Sequence, residues 1–154
     1  MEKNIPDKKE ESNTSTFLME HNILITWKPE YNLGIPIIDD QHKGIVSIIN
    51  TLYFSIQHNY AWDILSPIID MVYDYTHIHF DIEEKFLDKI NYPRTKFHRE
   101  LHYILLAKLR SAERNSVLKK DPEQFMEFLK SWWINHICEE DLIYRDYILG
   151  SMTI

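Results

Sequence analysis

Apolar residues recur at alternating steps of four and three positions through most of the chain after about residue 39, which is the spacing of an amphipathic α-helix. The first stripe begins at a histidine and consists of His42, Ile45, Ile49, Leu52 and Ile56. Asp39 is a plausible N-cap, so the pattern predicts a first helix over residues 39–58. His42 would then lie in the first turn, where the positive end of the helix dipole disfavours imidazolium and keeps the ring available as a ligand.

The next two stripes predict two further helices. The second covers residues 63–90, and its start is ambiguous because Pro67 suits the N1 position but is tolerated elsewhere in a first turn. Its inward side consists of Ile68, Val72, His79, Glu83 and Ile90. A break at residues 91–93 leads into a third helix over residues 93–115. The inward row of that helix is His98, His102, Leu105 and Leu109.

The fourth predicted helix covers residues 121–149 and has a strong start signal. Asp121, Pro122 and Gln124 supply a cap, a proline at N1 and an amide at N3. Its apolar stripe is Phe125, Leu129, Trp132 and His136. Four such helices with short connections predict an all-α fold, namely an up-down-up-down four-helix bundle.

Two segments of different composition precede the helices. Residues 1–20 are mostly polar with few apolar anchors, which is typical of a disordered terminal tail. Residues 21–38 contain Trp27 and Tyr31 but are punctuated by two prolines and a glycine, so we expect an arm that packs across the bundle rather than a helix. The folded domain is therefore expected to span residues 21–150.

Length and composition limit the possible functions. A chain of 154 residues with 44% hydrophobic residues fits one domain with a real core. The net charge of −7 and the lack of a basic cluster argue against nucleic-acid binding. No apolar stretch is long enough to span a membrane, and the N-terminus lacks a signal-peptide core. Cys138 is the only cysteine, so nothing suggests an oxidising compartment, and a cytoplasmic protein is expected.

Every predicted helix places potential metal ligands on its apolar face. An α-helix advances about 100° per residue, so pairs four residues apart face the same direction. A single core imidazole is usually a structural histidine with one hydrogen bond, but five histidines and two carboxylates would each need a buried partner. A shared metal centre satisfies them together. The candidate ligands are His42, His79, Glu83, His98, His102, His136 and Asp141.

The number of donors favours two metal ions over one. A zinc ion takes four ligands and an octahedral ion takes six, so seven protein donors exceed a single site. If Glu83 and Asp141 each bridge both ions, the five imidazoles divide three and two, and one metal keeps a vacant position. Iron suits histidine with carboxylate, but so do manganese, zinc and cobalt.

Asp141 is the one candidate that ideal helix geometry does not favour. It follows His136 by five residues, about 140° around an ideal helix. Glu140, four residues after His136, is better placed on periodicity alone. A ligand pair five residues apart requires a local distortion such as a π-bulge, a feature often found at functional sites.

Four segments of the chain resemble the hemerythrin family, and specifically its single-domain bacterial members, the bacteriohemerythrins. These segments read WKPEYNLGIPIIDDQHK, HFDIEE, YPRTKFHRELH and WWINHICEED. The resemblance extends from about Trp27 to Tyr147 and includes all seven ligand positions. In that family the aspartate five residues after the last histidine is a ligand, which selects Asp141 over Glu140. The histidine directly before a phenylalanine is another, which selects His79 over His77.

The resemblance implies a non-haem di-iron centre with an oxo or hydroxo bridge. It assigns three histidines, His98, His102 and His136, to one iron and two, His42 and His79, to the other. Glu83 and Asp141 would bridge the pair. Phe80 and Trp132 match residues that line the oxygen pocket in the family, although spacing alone equally fits ordinary core aromatics.

Three functional classes are compatible with such a centre. The expected one is reversible dioxygen binding for transport, storage or delivery to an oxygen-using enzyme, with no catalytic residues. The alternatives are an oxygen or redox sensor that acts through a signalling partner, and a di-iron enzyme acting on peroxide, nitric oxide or iron. The sequence leaves the oligomeric state open.

Overall fold

The computed structural model describes residues 23–151, and all the regular structure in this part of the chain is helical. The expected tail over residues 1–20 lies outside the described residues. A short 3-10 turn, Pro29–Tyr31, precedes the helices α1 (Pro36–Gln57), α2 (Trp62–Lys89) and α3 (Thr95–Lys119). The fourth helix, α4, is continuous through three stretches: α-helical Glu123–Trp132, π-helical Trp133–Glu140 and α-helical Asp141–Ser151.

The three connections between helices are short, and in each of them a left-handed residue lies one or two positions after the end of the helix. Asn59, Asn91 and Lys120 have φ values of 53°, 53° and 50°. After α1, the amide of Tyr60 donates to the carbonyl of Ser55, and the same pattern follows the other two helices. This is the Schellman arrangement, which satisfies the last carbonyls of a helix and turns the chain sharply. Each helix is thereby placed antiparallel to the next.

The helices close into the expected up-down-up-down bundle. Each helix packs against the next, and α1 also contacts α4. The buried apolar side chains form two clusters, a large one that includes Ile49, Phe125 and Leu129 and a smaller one around Leu87 and Tyr144. The all-α four-helix fold predicted from the sequence is therefore confirmed. No helix in the described part of the chain is long and apolar enough to cross a membrane.

The described residues before α1 pack against the bundle. The Asn50 side chain of α1 accepts hydrogen bonds from the amides of Leu24 and Ile25, and donates one to the carbonyl of Ile25 at 2.8 Å. Trp27 packs edge-on against Trp133 of α4, with ring centroids 6.1 Å apart. The arm is thus fixed to α1 by hydrogen bonds between its backbone and the Asn50 side chain, and to α4 by an aromatic contact.

The predicted N-cap of α1 is wrong. The helix begins at Pro36, and Asp39 lies within it. The Asp39 carboxylate instead accepts hydrogen bonds from the amides of Leu33 and Gly34, at 2.7 and 3.1 Å, and so anchors the end of the arm. His42 is consequently not in the first turn, and the argument from the helix dipole does not apply to it.

The other helix ends differ from the predicted bounds by no more than four residues. Pro67 lies inside α2 rather than at its start. The fourth helix begins at Glu123, and Asp121 still accepts a hydrogen bond from the Glu123 amide at 3.0 Å. Asp121 therefore still accepts a hydrogen bond from an amide at the helix start, but it lies one position before the N-cap.

Candidate metal centre

All seven candidate ligands converge in the interior of the bundle. Each is at most 3% exposed, and their ligand atoms form two groups within which every pair of atoms lies within 4.8 Å. Glu83 and Asp141 belong to both groups. One group adds three histidines, His98, His102 and His136, and the other adds two, His42 and His79.

In the three-histidine group, the imidazole Nε2 atoms surround the two carboxylates. The Nε2 atom of His102 lies 3.1 Å from Oε2 of Glu83, and that of His98 lies 3.4 Å from the same oxygen. The Nε2 atoms of His98 and His136 lie 3.3 and 3.5 Å from Oδ1 of Asp141. Three imidazoles and one oxygen of each carboxylate thus face a common point.

In the two-histidine group, Asp141 presents its other oxygen, Oδ2, whereas Glu83 presents the same oxygen, Oε2, as in the first group. The Nε2 atom of His42 lies 3.4 Å from Oδ2 of Asp141, and that of His79 lies 3.8 Å from Oε2 of Glu83. The two Nε2 atoms lie only 3.2 Å apart. Asp141 therefore presents one oxygen to each group, which is the geometry of a carboxylate that bridges two ions.

The π-helical stretch of α4 places Asp141 in the site. The amide of Asp141 donates its hydrogen bond to the carbonyl of His136, five residues back. A π turn closes bonds of this kind, so residues five apart come onto one face instead of lying about 140° apart as in an α-helix. Asp141 is fully buried, whereas Glu139 is exposed and Glu140 is partly exposed. The local distortion that the spacing required is present.

Two of the imidazoles are held through their second nitrogen. Nδ1 of His79 lies 3.1 Å from the amide oxygen of Gln41, and Nδ1 of His102 lies 2.9 Å from Oε1 of Glu84. A hydrogen bond donated from Nδ1 fixes the tautomer in which Nε2 is free to bind a metal. Gln41 was not predicted as part of the site, although it directly precedes His42.

Tyr144 is a second site residue that sequence reasoning missed. Its buried hydroxyl donates a hydrogen bond to Oε1 of Glu83 at 2.5 Å. The available signal was its position three residues after Asp141, which puts both side chains on one face of α4. His58 and His77 are exposed and stand apart from the site, and His21 lies outside the described residues.

Phe80 and Trp132, the predicted pocket residues, both pack against candidate ligands. The Phe80 ring stacks on His102 with centroids 3.7 Å apart and planes 2° apart. Trp132 stacks on His136 at 6.4 Å. A cavity of about 370 Å³ opens beside Trp132, His136 and Glu140. The imidazoles on this side are thus covered by aromatic rings.

Burial and charge set the protonation of the site. Burial lowers the pKa of His79 to about 3 and that of His136 to about 4, so both rings are neutral. Burial would also lower the pKa of His98, but its contacts with Asp141 and Glu83 raise that pKa to about 10. Burial would raise the pKa of Glu83, yet hydrogen bonds from His102 and His98 hold it well below the ordinary value. The carboxylates are therefore ionised.

The donor set fits bound cations better than a closed hydrogen-bond network. Both oxygens of Asp141, and Nδ1 of His42 and of His136, are buried without a hydrogen-bond partner in the described structure. The two short contacts between imidazole Nε2 atoms, His42 with His79 and His102 with His136, each allow one donor at most. Unpaired buried polar atoms cost about 1 to 3 kcal/mol each, and metal ions at the centre would relieve that cost for the two oxygens of Asp141.

The sequence was also compared with known protein families and proteins. The family profile described as the hemerythrin HHE cation binding domain matches residues 33–148. A bacteriohemerythrin of Stenotrophomonas maltophilia is 29% identical over 131 residues, which is 84% of this chain and 85% of the relative. One from Clostridium acetobutylicum is 28% identical, over 80% of this chain and its own full length. A hemerythrin-like protein of Naegleria gruberi is 26% identical, over 77% of this chain and 89% of its own.

The family match covers most of the chain, and it includes the arrangement of histidines and carboxylates that the sequence singled out. Each alignment covers most of this chain and most of the relative, so the similarity is not confined to a short segment. The chain is a metal-binding domain that belongs to the hemerythrin family.

Proposed function

We propose that the centre holds a pair of iron ions and binds dioxygen reversibly, for transport, storage or delivery. The observation that supports the proposal best is the pair of overlapping donor groups that share Glu83 and Asp141. In this proposal, Glu83 and Asp141 would be shared between the two ions, because both belong to the two donor groups. The remaining ligands divide into His98, His102 and His136 on one ion and His42 and His79 on the other.

The unequal donor groups favour binding of a small molecule. One group offers five protein ligands and the other four, so the His42 and His79 side has the greater capacity for an additional ligand. A ferrous pair, when bound, supplies the electrons that reversible dioxygen binding requires. Histidine-rich ligation also separates this centre from ferritin-like oxidases, whose sites are built mainly from glutamates and ExxH motifs.

Aromatic side chains shield part of the centre from solvent. Phe80 and Trp132 cover the imidazoles of His102 and His136, and both aromatic rings are nearly inaccessible to solvent. Water and stray protons promote loss of an activated ligand, so their exclusion favours reversible binding over turnover. The likeness to the bacteriohemerythrins of two bacteria supports the same function.

The composition of the centre is tested by anaerobic titration of the metal-free protein with ferrous ion, followed by metal analysis after removal of free iron. We expect saturation at two ions per chain. Saturation at one ion, or retention of none, would overturn the di-iron proposal irrespective of any measurement with oxygen.

A further inference from the structure

Two imidazoles in the centre have different partners at Nδ1. His79 faces the neutral amide oxygen of Gln41 at 3.1 Å, whereas His102 faces the carboxylate of Glu84 at 2.9 Å. His79 belongs to the two-histidine group and His102 to the three-histidine group. The two proposed metal positions therefore differ in the charge just outside their ligands, as well as in ligand number.

Arg99 holds the Glu84 carboxylate in place. Its Nε atom donates to Oε2 of Glu84 at 3.1 Å, and its Nη2 atom donates to Asp88 at 2.7 Å. Glu84 thus uses one oxygen for His102 and the other for Arg99. Because Glu84 and Asp88 lie on α2 while Arg99 and His102 lie on α3, the contacts fix the carboxylate between two helices.

A carboxylate that accepts the Nδ1 proton of an imidazole strengthens the donation of electron density from Nε2 to a metal. Stronger donation stabilises the higher oxidation state. A neutral amide in the same position has a weaker effect, because a charged acceptor makes the stronger hydrogen bond.

We propose that Glu84, clamped by Arg99, is a positioning residue that biases the iron bound by His102 toward the ferric state, while Gln41 leaves the iron bound by His79 more easily reduced. This inference rests on the proposed di-iron function and adds an electronic difference between its two metals. The alternative is that Glu84, Arg99 and Asp88 form a surface ion-pair network with a structural role only.

The test is the reduction potential of the iron-loaded protein, measured by anaerobic spectroelectrochemistry. Glu84→Gln keeps an oxygen acceptor but removes the charge, and we expect it to raise the potential. We also expect iron to be lost to a chelator roughly 10-fold faster, as is typical when an outer partner of a ligating histidine is changed. Neither quantity should change in a variant whose only effect is on helix packing.

Asp81→Asn is the matched control. Asp81 is also an acidic residue on α2, and it is ion-paired with the exposed Lys85 without contacting a histidine. The Asp81→Asn substitution therefore removes one negative charge from α2, as Glu84→Gln does. An equal shift in the two variants, or no shift in Glu84→Gln, would overturn the inference and leave only a general charge effect or a structural role.

Arg99→Lys gives a second route if the Glu84 variant folds poorly, because it keeps the positive charge but loses the fork that donates to Glu84 and Asp88 together. We expect it to raise the potential in the same direction as Glu84→Gln but by less, because Glu84 is held less firmly rather than neutralised. An unchanged or lower potential in Arg99→Lys would contradict the clamp. These measurements require no oxygen, so iron binding with an unchanged potential refutes only this inference, whereas failure to bind iron refutes the proposed function as well.

Discussion

The hydroxyl of Tyr144 on α4 donates a hydrogen bond to Glu83 on α2, across the interior of the bundle. Glu83 is fully buried and belongs to both donor groups. The contact occupies Oε1 of Glu83, while Oε2 faces the imidazoles of His98 and His102. Tyr144 therefore fixes the orientation of a carboxylate that is central to the site.

Removal of this hydroxyl should destabilise the protein without abolishing iron binding. A hydrogen bond to a charged group contributes about 1.5 to 3 kcal/mol, so Tyr144→Phe should lower the free energy of unfolding by roughly that amount. Chemical denaturation of the iron-loaded protein measures it. Tyr103→Phe is the control, because Tyr103 is 77% exposed. Equal stability of the two variants would show that the contact does not order Glu83.

Asp141 and Glu140 offer a direct test of the ligand assignment. Asp141 is fully buried between the donor groups, whereas Glu140 is partly exposed. Asp141→Asn removes the charge that faces both proposed ions, so iron content after gel filtration should fall by at least half. Glu140→Gln should leave the iron content unchanged. The reverse result would mean that α-helical periodicity, and not the π-helical stretch, determines the ligand.

Phe80 should protect the oxygenated protein from oxidation, because its ring stacks on His102. Phe80→Leu opens space beside that imidazole, and we expect faster conversion to the diferric form with the iron content retained. Phe125→Leu is the matched control, since Phe125 is equally buried in the same apolar cluster, whereas the ring stacking on His102 belongs to Phe80. The rates are followed by visible absorbance under air. Similar rates in both variants would assign Phe80 to core packing alone.

The metal-free protein should be most stable slightly below neutral pH. Burial lowers the pKa of His79 to about 3 and that of His136 to about 4, from an ordinary value of 6.5. The unfolded chain therefore binds more protons than the folded protein as the pH falls below 6.5, and stability is lost. His98 has the opposite effect, because contacts with Asp141 and Glu83 outweigh its burial and raise its pKa to about 10.

On the alkaline side, the stability contributed by His98 is present below pH 6.5 and is lost as the pH rises toward 10. Each proton of difference changes the free energy of unfolding by about 1.4 kcal/mol per pH unit. Thermal unfolding of chelator-treated protein from acid to alkaline pH measures the profile. A melting temperature that stays constant between pH 4 and 6.5 would contradict neutral burial of His79 and His136.

Helix periodicity predicted the fold well because each helix has one continuous apolar stripe. It predicted the start of α1 poorly because Asp39, a residue typical of caps, binds amides of the arm instead. That contact depends on how the arm folds back onto the helix, which is a tertiary feature. Local propensity favours Asp39 as a cap in either case.

The candidate site was also only partly predictable from the sequence. Residues on the apolar stripes, such as His79 and Glu83, were identifiable from spacing, whereas Asp141 required a resemblance because an ideal α-helix places it elsewhere. The spacing of five residues nevertheless indicated a distortion. Gln41 and Tyr144 were missed because each contacts a residue far away in the sequence. Contacts of this kind become visible only after the helices are packed.

Reversible oxygenation is the central claim, and visible absorbance through one oxygen cycle tests it most directly. The iron-loaded protein is reduced without oxygen, exposed to air and then purged with argon. We predict a charge-transfer band that appears with oxygen and disappears when oxygen is removed, with the iron content unchanged. A one-way conversion to the diferric spectrum on first exposure would contradict oxygen carriage and favour an enzyme or a sensor.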